Sequence, residues 1–226
     1  MKIGLLGTGV VGITLGDALV GAGHEVRMGS RDATNPKARA WAGATADVAS
    51  TGSFADAAGF GDVVFNCTAG VASLEALELA GRPNLAGKIL IDVANPLDFS
   101  HGMPPTLTVC NTDSLGEQIQ RALPDTRVVK TLNTVNCAVM VAPGLVPGDH
   151  VLFLCGDDPQ AKTKVRDWLA SWFGWKPRNL IDLGGISAAR GTEMLLPLWI
   201  RLMQSLGTGE FNFELRVAPH ASEEAA

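Results

Sequence analysis

The chain has 226 residues, of which 46% are hydrophobic and 18% charged, a balance typical of one globular domain or of one domain with a modest appendage. The longest apolar runs fall far short of the roughly 18 to 20 residues that a membrane-spanning helix needs, so no transmembrane segment is predicted. The net charge is -5, which disfavours nucleic acid as a partner because phosphate binding depends on clustered cations. The first apolar stretch is too short for a secretory signal, which predicts a cytoplasmic protein.

Two residue types restrict the chemistry further. The four cysteines are widely separated and form no Cys-x-x-Cys pair, so neither a metal site nor a redox dithiol is predicted. Tyrosine does not occur in the sequence. If the protein is a reductase, this excludes the short-chain dehydrogenases and the aldo-keto reductases, since both use a tyrosine hydroxyl as the proton donor to a carbonyl.

Apolar runs and helical stretches alternate along the chain. Strands are predicted at 3–6, 25–28, 62–67, 88–93, 126–132, 150–155 and 179–183, and helices at 10–20, 36–42, 73–80, 115–123, 161–172 and 192–206. Short continuous apolar runs of this kind are typical of buried parallel strands. The alternation therefore predicts an α/β fold, a Rossmann-type doubly wound parallel sheet with helices on both faces.

A glycine-rich turn follows the first strand. The six residues Gly7, Thr8, Gly9, Val10, Val11 and Gly12 match the pattern Gly-x-Gly-x-x-Gly, which alone is a weak signal. Its position directly after an apolar strand, at the start of an apolar helix, makes it specific, because the turn, the close backbone approach and the helix packing each require a missing side chain. A diphosphate can bind the free amides of that helix start. Dinucleotide binding is predicted, with an ordinary tight turn as the alternative.

The end of the second strand favours one dinucleotide over the other. NAD-binding proteins usually place a carboxylate about 20 residues after the turn, on the ribose hydroxyls. This strand ends instead with Ser30 and Arg31, whose hydroxyl and guanidinium groups are suited to a 2′-phosphate. Lys37 could add a third contact to the 2′-phosphate. Asp32, next to Arg31, counts against NADP because its carboxylate would repel that phosphate. NADP is therefore predicted in preference to NAD.

A turn-rich segment suggests a division of the chain. Pro and Gly residues are concentrated at 142–149, which predicts an NADP-binding Rossmann domain at 1–142 and a small C-terminal α/β domain at 143–226. The apolar load of the helix at 192–206 predicts that it is buried, against a second subunit. The small and acidic residues at 218–226 are predicted to fray.

The ends of the later strands carry small neutral side chains rather than conventional catalysts. Three strand ends, at 66–70, 92–96 and 132–136, offer amide and hydroxyl groups to a nicotinamide ring but no obvious general acid, base or nucleophile. Lys130 is predicted to be structural or solvated, and none of the histidines is predicted to be catalytic. An enzyme of this composition is chemically coherent when its second substrate is itself a hydride carrier, such as a flavin-like acceptor.

Several motifs together carry a resemblance to a known family. They are the opening 2–12, Gly29-Ser30-Arg31, Asn133-Thr134-Val135, Cys155-Gly156-Asp157-Asp158, Asp182-Leu183-Gly184, Ala189-Arg190, Pro197-Leu198-Trp199 and Gly207-Thr208-Gly209. Spread over nearly the whole chain, this combination resembles the NADPH-dependent coenzyme F420 oxidoreductase family. The resemblance implies a homodimer that transfers hydride directly between C4 of the nicotinamide of NADP and C5 of an 8-hydroxy-5-deazaflavin.

The resemblance also implies roles for individual residues. Thr8, Val10 and Val11 would line the diphosphate turn, and Ser30 and Arg31 would hold the 2′-phosphate. Thr68, Ala69, Asn95 and Pro96 would border the nicotinamide, and Asn133 and Thr134 would form the floor of the deazaflavin cleft. Members of the family carry a histidine near the position of Asn133, and this sequence has none there.

Two other functions stay open at the level of the sequence. One is an NADPH-dependent reductase of free flavin or ferric chelates, which is similar to the oxidoreductase domains of membrane metalloreductases. The other is a non-catalytic NADP-binding sensor, which the lack of an evident acid or base allows.

Overall fold

The structure is a computed structural model that describes residues 1–45 and 47–218, so the fraying predicted for the acidic tail falls almost wholly outside the described residues. Its strands are β1 (Lys2–Leu6), β2 (Glu25–Ser30), β3 (Ala49–Ser53), β4 (Val63–Asn66), β5 (Ile89–Asp92), β6 (Leu97–Asp98), β7 (Thr106–Leu107), β8 (Arg127–Thr131), β9 (Leu152–Cys155) and β10 (Leu180–Asp182). Its α-helices are α1 (Val10–Gly21), α2 (Pro36–Ala44), α3 (Phe54–Phe60), α4 (Gly70–Ala80), α5 (Arg82–Leu85), α6 (Leu115–Ala122), α7 (Cys137–Val141), α8 (Pro159–Phe173), α9 (Ala189–Met194) and α10 (Leu196–Leu206).

One large sheet organises the described chain. Its strand order is β10-β9-β8-β5-β4-β1-β2-β3. Six neighbouring strands of this sheet run parallel, namely β3, β2, β1, β4, β5 and β8. The order reverses at β1, because β2 and β3 lie on one side of it and β4, β5 and β8 on the other. Ligands of doubly wound sheets bind at such a switch point, outside the carboxyl ends of the strands. The predicted α/β Rossmann-type fold is confirmed.

The direction of the last two strands differs from the prediction of parallel strands. β9 runs antiparallel to β8, with Lys130 opposite Cys155, whereas β10 is parallel to β9. The segment between β8 and β9 returns at the same end of the sheet, so it makes no crossover to the opposite end. Both strands extend the one sheet, and the division of the chain at residue 142 stays a prediction.

The third strand and the third helix were absent from the sequence-based prediction. β3 contains small polar residues and no long apolar run, so its pattern does not stand out. Ser53 then begins α3 with a capping box, in which its side chain and that of Asp56 bond each other's backbone amides. α3 packs very close to β1, since a Cβ atom on Gly4 would lie 2.3 Å from the carbonyl oxygen of Ala57.

The helix predicted at 192–206 is divided in two. Leu195 separates α9 from α10, because Pro197 has no N–H to continue the helical hydrogen bonds. Leu196 and Ile200 are buried, whereas Leu198 and Leu206 are 51% and 57% exposed. The predicted burial of this helix therefore holds for one of its faces within the single chain. Among the described helices, none has both the length and the apolar character needed to cross a bilayer.

Candidate active site

The glycine turn between β1 and α1 has a different requirement at each glycine. Gly7 has φ of 120°, and a Cβ atom there would lie 2.7 Å from the carbonyl oxygen of Cys67. A Cβ atom on Gly12 would lie 2.2 Å from the carbonyl oxygen of Gly7. Gly9 differs from both, because, apart from its chain neighbours, no atom of the described residues lies within 4 Å of the position of its Cβ. The fold itself requires Gly7 and Gly12, and Gly9 leaves open space above the turn.

The first turn of α1 is open to a ligand. Gly9 is its N-cap, and no described side chain caps the helix start. Val10 is 69% exposed at the surface of this turn. Unsatisfied amides at a helix start carry a partial positive charge and bind anions. The turn therefore fits a diphosphate.

The predicted 2′-phosphate contacts lie at the end of β2. Ser30 is buried and donates its hydroxyl hydrogen to the carbonyl oxygen of Asp32, so this hydroxyl must turn to reach a phosphate. Arg31 is exposed, and its Nε lies 3.5 Å from Oε1 of Glu75 on α4. Lys37 is exposed in the first turn of α2. Two cationic side chains thus flank an accessible surface at the edge of the turn.

Asp32, the residue that counted against NADP, is engaged within its own loop. Its Oδ1 accepts hydrogen bonds of 2.8 Å from both the amide and the hydroxyl of Thr34. These bonds, that from the amide first, hold the pKa of the Asp32 carboxyl below its usual value. The carboxylate is thereby occupied by a neighbour in the loop.

Two clefts adjoin at the carboxyl ends of the central strands. The first has a volume of about 230 Å³ and the second about 210 Å³. Val11, Val93 and Asn95 line both of them. The first cleft is otherwise lined by Cys67, Thr68, Ala69, Gly70, Val71, Ala94, Leu97 and Phe99, and the second by Val10, Asn133, Val135, Asn136, Cys137, Met140, Leu196 and Trp199. None of these lining residues is Asp, Glu, Lys, Arg or His. The first is called the nicotinamide cleft and the second the acceptor cleft, after the rings that they are predicted to hold.

The two asparagines predicted for the site bond each other across the junction of the clefts. Asn95 Nδ2 donates to the carbonyl oxygen of Asn133 at 2.8 Å, and Asn133 Nδ2 donates to Asn95 Oδ1 at 3.0 Å. The preceding Leu132 is fully buried with φ of 63°, a left-handed conformation that is unfavourable for a branched side chain. Such strain at the end of β8 is typical of functional sites.

The remaining predicted residues lie around this junction in different ways. Thr68 and Ala69 line the nicotinamide cleft. Pro96 is buried and Thr134 is 1% exposed, and neither lines either cleft. The structure therefore brings Thr68, Ala69 and Asn95 together at the surface of the nicotinamide cleft, whereas Pro96 and Thr134 lie outside both clefts.

Two aromatic residues of the clefts were not among the predicted site residues. Phe99 lines the nicotinamide cleft, and Trp199 lines the acceptor cleft and stacks on Phe211 at a centroid distance of 5.2 Å. The Trp199 Nε1 atom is buried and has no hydrogen-bond partner among the described residues. The sequence signal for Trp199 was only its place in the motif Pro197-Leu198-Trp199.

The thiol nearest the nicotinamide cleft is not activated. Cys67 is 8% exposed. Burial first, and the nearby Asp92 carboxylate second, raise the pKa of its thiol well above the usual range. Since the thiolate is the reactive form, Cys67 remains a neutral wall residue.

A family model and several known proteins are similar to this chain. Residues 2–96 match the family model described as "NADP oxidoreductase coenzyme F420-dependent". The crystal structure of a protein called a "putative f420 dependent nadp-reductase", from Arthrobacter sp. FB24, is 51% identical in sequence with a TM-score of 0.89, and the match covers 96% of this chain and 100% of that one.

Two more distant proteins are similar to this chain. Metalloreductase STEAP3 of Rattus norvegicus is 31% identical over 202 residues; the match covers 88% of this chain but only 38% of that protein. The hypothetical protein SMa0349 from Sinorhizobium meliloti is 20% identical with a TM-score of 0.67, over 84% of this chain and 88% of that one, and shares the fold alone. The similarity to the Arthrobacter protein extends over nearly all of both chains, so this chain belongs to the family of coenzyme F420-dependent NADP oxidoreductases and is an oxidoreductase.

Proposed function

We propose that the protein transfers hydride directly between NADPH and a deazaflavin, coenzyme F420. The observation that carries the proposal is the pair of adjoining clefts that share Val11, Val93 and Asn95 and have no acidic, basic or histidine side chain in their lining. Two planar rings could lie against each other there without a protein proton donor. Membership of the family supports the same pair of reactants.

At the dinucleotide end, the chain would bind mainly through its backbone. The amides of the glycine turn and of the α1 start would hold the diphosphate. The Arg31 guanidinium would hold the 2′-phosphate with charge-assisted hydrogen bonds, with Ser30 and Lys37 adding to it. The nicotinamide ring would then lie in the nicotinamide cleft, beside Thr68 and Ala69.

At the acceptor end, the chain would orient a second ring and exclude water. NADP, when bound, would supply or receive the hydride at C4 of its nicotinamide, opposite C5 of the deazaflavin. Trp199 and Met140 give the acceptor cleft an apolar wall, while Asn133 offers a fixed amide at its floor. Holding two reacting carbons about 3 to 3.5 Å apart in a water-poor cleft contributes a large part of such a rate.

The test is a reaction of the purified protein with NADPH and each of three acceptors: coenzyme F420, free flavin and a ferric chelate. The proposal expects NADPH-dependent bleaching of the deazaflavin absorbance at a higher kcat/KM than for the other two acceptors. Rapid reduction of flavin or ferric chelate without deazaflavin bleaching would contradict it. Tight NADP binding with no turnover of any acceptor would favour the sensor.

The second candidate, a flavin or ferric reductase, has a specific observation in its favour. The similarity to Metalloreductase STEAP3 spans most of this chain, although this chain corresponds to only 38% of that protein. A flavin ring could occupy the same acceptor cleft, because an apolar wall and an amide floor suit either ring system. The acceptor assay therefore decides between the two functions.

A homodimer remains part of the proposal. On α10, Leu198 and Leu206 are more than half exposed in the single chain, and Leu183 and Met194 lie close to 40% exposed on neighbouring elements. Apolar side chains in such positions are typical of an interface between subunits. Light scattering after size-exclusion chromatography would test it, and a monomer at assay concentration would contradict it.

A further inference from the structure

A buried ammonium lies beneath the junction of the two clefts. The Lys130 side chain, at the end of β8, is 0% exposed, and its Nζ lies 2.8 Å from Asp92 Oδ2 and 2.9 Å from Glu193 Oε1. Both carboxylates are equally inaccessible. Nζ also donates a hydrogen bond to the carbonyl oxygen of Ala94. All three hydrogens of the ammonium thus have a partner.

The two carboxylates have the hydrogen bonding of ionised groups. Asp92 Oδ1 accepts from Asn66 Nδ2 at 2.8 Å and from the amide of Ala94 at 3.2 Å. Glu193 accepts from the amides of Leu115 and Gly116, at the start of α6, at 2.8 and 3.0 Å. Every partner is a donor, which matches an acceptor-only carboxylate. Burial alone would lower the pKa of Lys130, but the two carboxylates together raise it above its usual value.

This arrangement holds the nicotinamide cleft from below. The peptide groups of Ala94 are fixed on both sides, by Asp92 at the amide and by Lys130 at the carbonyl. Ala94 lines the nicotinamide cleft, and the next residue, Asn95, lines both clefts. Glu193 lies on α9. The next helix, α10, carries Trp199, which lines the acceptor cleft. The Lys130 ammonium therefore connects the turn that lines the nicotinamide cleft to the helix that precedes the acceptor-cleft residue Trp199.

Stability alone gives no reason for a charged cluster here. Removing ions from water costs several kcal/mol each, and well-packed apolar residues of similar volume are often as stabilising. A fully satisfied polar network does, however, specify one arrangement of the groups that it bonds. We propose that Lys130 is a positioning residue that fixes the Ala94–Asn95 turn so that the nicotinamide ring is held in one orientation; this role rests on the proposed function.

The test compares two ligands that differ in the nicotinamide half. Adenosine 2′,5′-bisphosphate contains the adenosine and 2′-phosphate of NADPH but lacks the nicotinamide. For Lys130→Met we expect the Kd for NADPH to rise at least tenfold and the Kd for the bisphosphate to stay within twofold, both measured by calorimetry. An equal rise for both ligands, or no rise for either, would overturn the proposal.

The chain offers a matched control. Lys162 is 7% exposed, its Nζ lies 2.8 Å from Asp182 Oδ1, and it also donates to the carbonyl oxygen of Gly184 at 2.9 Å. It therefore resembles Lys130 in burial and bonding, but it lies at the outer edge of the sheet, on α8 beside β10. Lys162→Met should lower the thermal midpoint and leave the affinity for both ligands unchanged. A selective loss of NADPH affinity in this variant would also overturn the proposal.

A milder variant decides the matter if Lys130→Met does not fold. Asp92→Asn leaves one carboxylate for the ammonium and keeps an oxygen for the Ala94 amide, but its amide group displaces Nζ from its present place. A rise of at least threefold in the Kd for NADPH, with the bisphosphate unchanged, is expected, and parallel changes would contradict the role. If the wild-type protein binds neither ligand, the NADP site itself is refuted, and the role of Lys130 with it.

Discussion

The dinucleotide end and the acceptor end of the candidate site are built in different ways. The glycine turn offers backbone amides and open space from one short segment of the chain. The acceptor cleft is formed by side chains from four separate segments, at 10–11, 93–95, 133–140 and 196–199. A site built from backbone is sensitive to any added side chain, whereas a site built from side chains can change its ligand by a few substitutions. The two ends should therefore respond differently to substitution.

The substitution with the largest expected effect on the dinucleotide end is Gly12→Ala. The added methyl group would overlap the carbonyl oxygen of Gly7 at 2.2 Å, so the turn must shift. Since a hydrogen bond to a charged group contributes about 1.5 to 3 kcal/mol, losing one or two of the bonds from the turn to the diphosphate should lower the NADP and NAD affinities each by about 100-fold, and the thermal midpoint should fall as well. Titration calorimetry and thermal unfolding would measure both.

Gly43→Ala is the matched control, because Gly43 is also in a helix and, outside its own helix, no atom in the described part of the chain lies within 4 Å of its Cβ position. It should stabilise the protein by about 0.5 to 1 kcal/mol without affecting the cofactor. Unchanged NADP affinity in Gly12→Ala would mean that the turn is not the diphosphate site.

At the dinucleotide end, the 2′-phosphate is the one group that side chains, rather than the backbone, are expected to bind. Arg31→Glu should weaken NADP binding by about 30-fold, since a hydrogen bond to a charged group contributes about 1.5 to 3 kcal/mol and the new carboxylate repels the phosphate. The affinity for NAD should change little. Arg216→Glu, a change of the same charge at a side chain that is 86% exposed, is the control for general electrostatics. Equal losses for NADP and NAD would defeat the assignment of the 2′-phosphate site.

At the acceptor end the effect should be smaller and confined to the acceptor. Trp199→Ala should raise the KM for the deazaflavin about five- to tenfold, because an aromatic contact contributes about 0.5 to 1.5 kcal/mol beyond buried area. The Kd for NADPH should not change. Trp168→Ala removes a tryptophan that stacks on Trp172 at 5.1 Å outside either cleft and should leave the KM unaltered. A similar loss in both variants would indicate a role in folding only.

The same difference explains how much the sequence could predict. The turn at 7–12 was identified because adjacent residues carry the whole signal, and the central strands because each is a buried apolar run. β3 was missed, since its five residues Ala-Ser-Thr-Gly-Ser are small and its pairing with β2 is a tertiary property.

The acceptor cleft could be predicted only in part. Asn133 was placed at a strand end, but its bond to Asn95, 38 residues earlier, depends on two strands meeting in space. Lys130 appeared as one cation in a strand, and nothing local indicates that Glu193, far along the chain, reaches it. The sequence also could not predict the direction of β9, because a strand buried on both faces is a continuous apolar run whichever way it runs.

The smallest expected effect is on NADP affinity at the surface of the dinucleotide end. Glu75 on α4 lies 3.5 Å from Arg31, and both side chains are more than half exposed, so the pair contributes little to stability. Glu75→Gln should nevertheless strengthen NADP binding about two- to threefold at low salt, since it removes a negative charge beside the phosphate, and the gain should fade as the Debye length falls to about 8 Å at 0.15 M salt. Glu78→Gln, an exposed change on the same helix, is the control. If both variants strengthen binding equally, or if NAD binding gains as much, Glu75 does not face the 2′-phosphate and Arg31 reaches it from another direction.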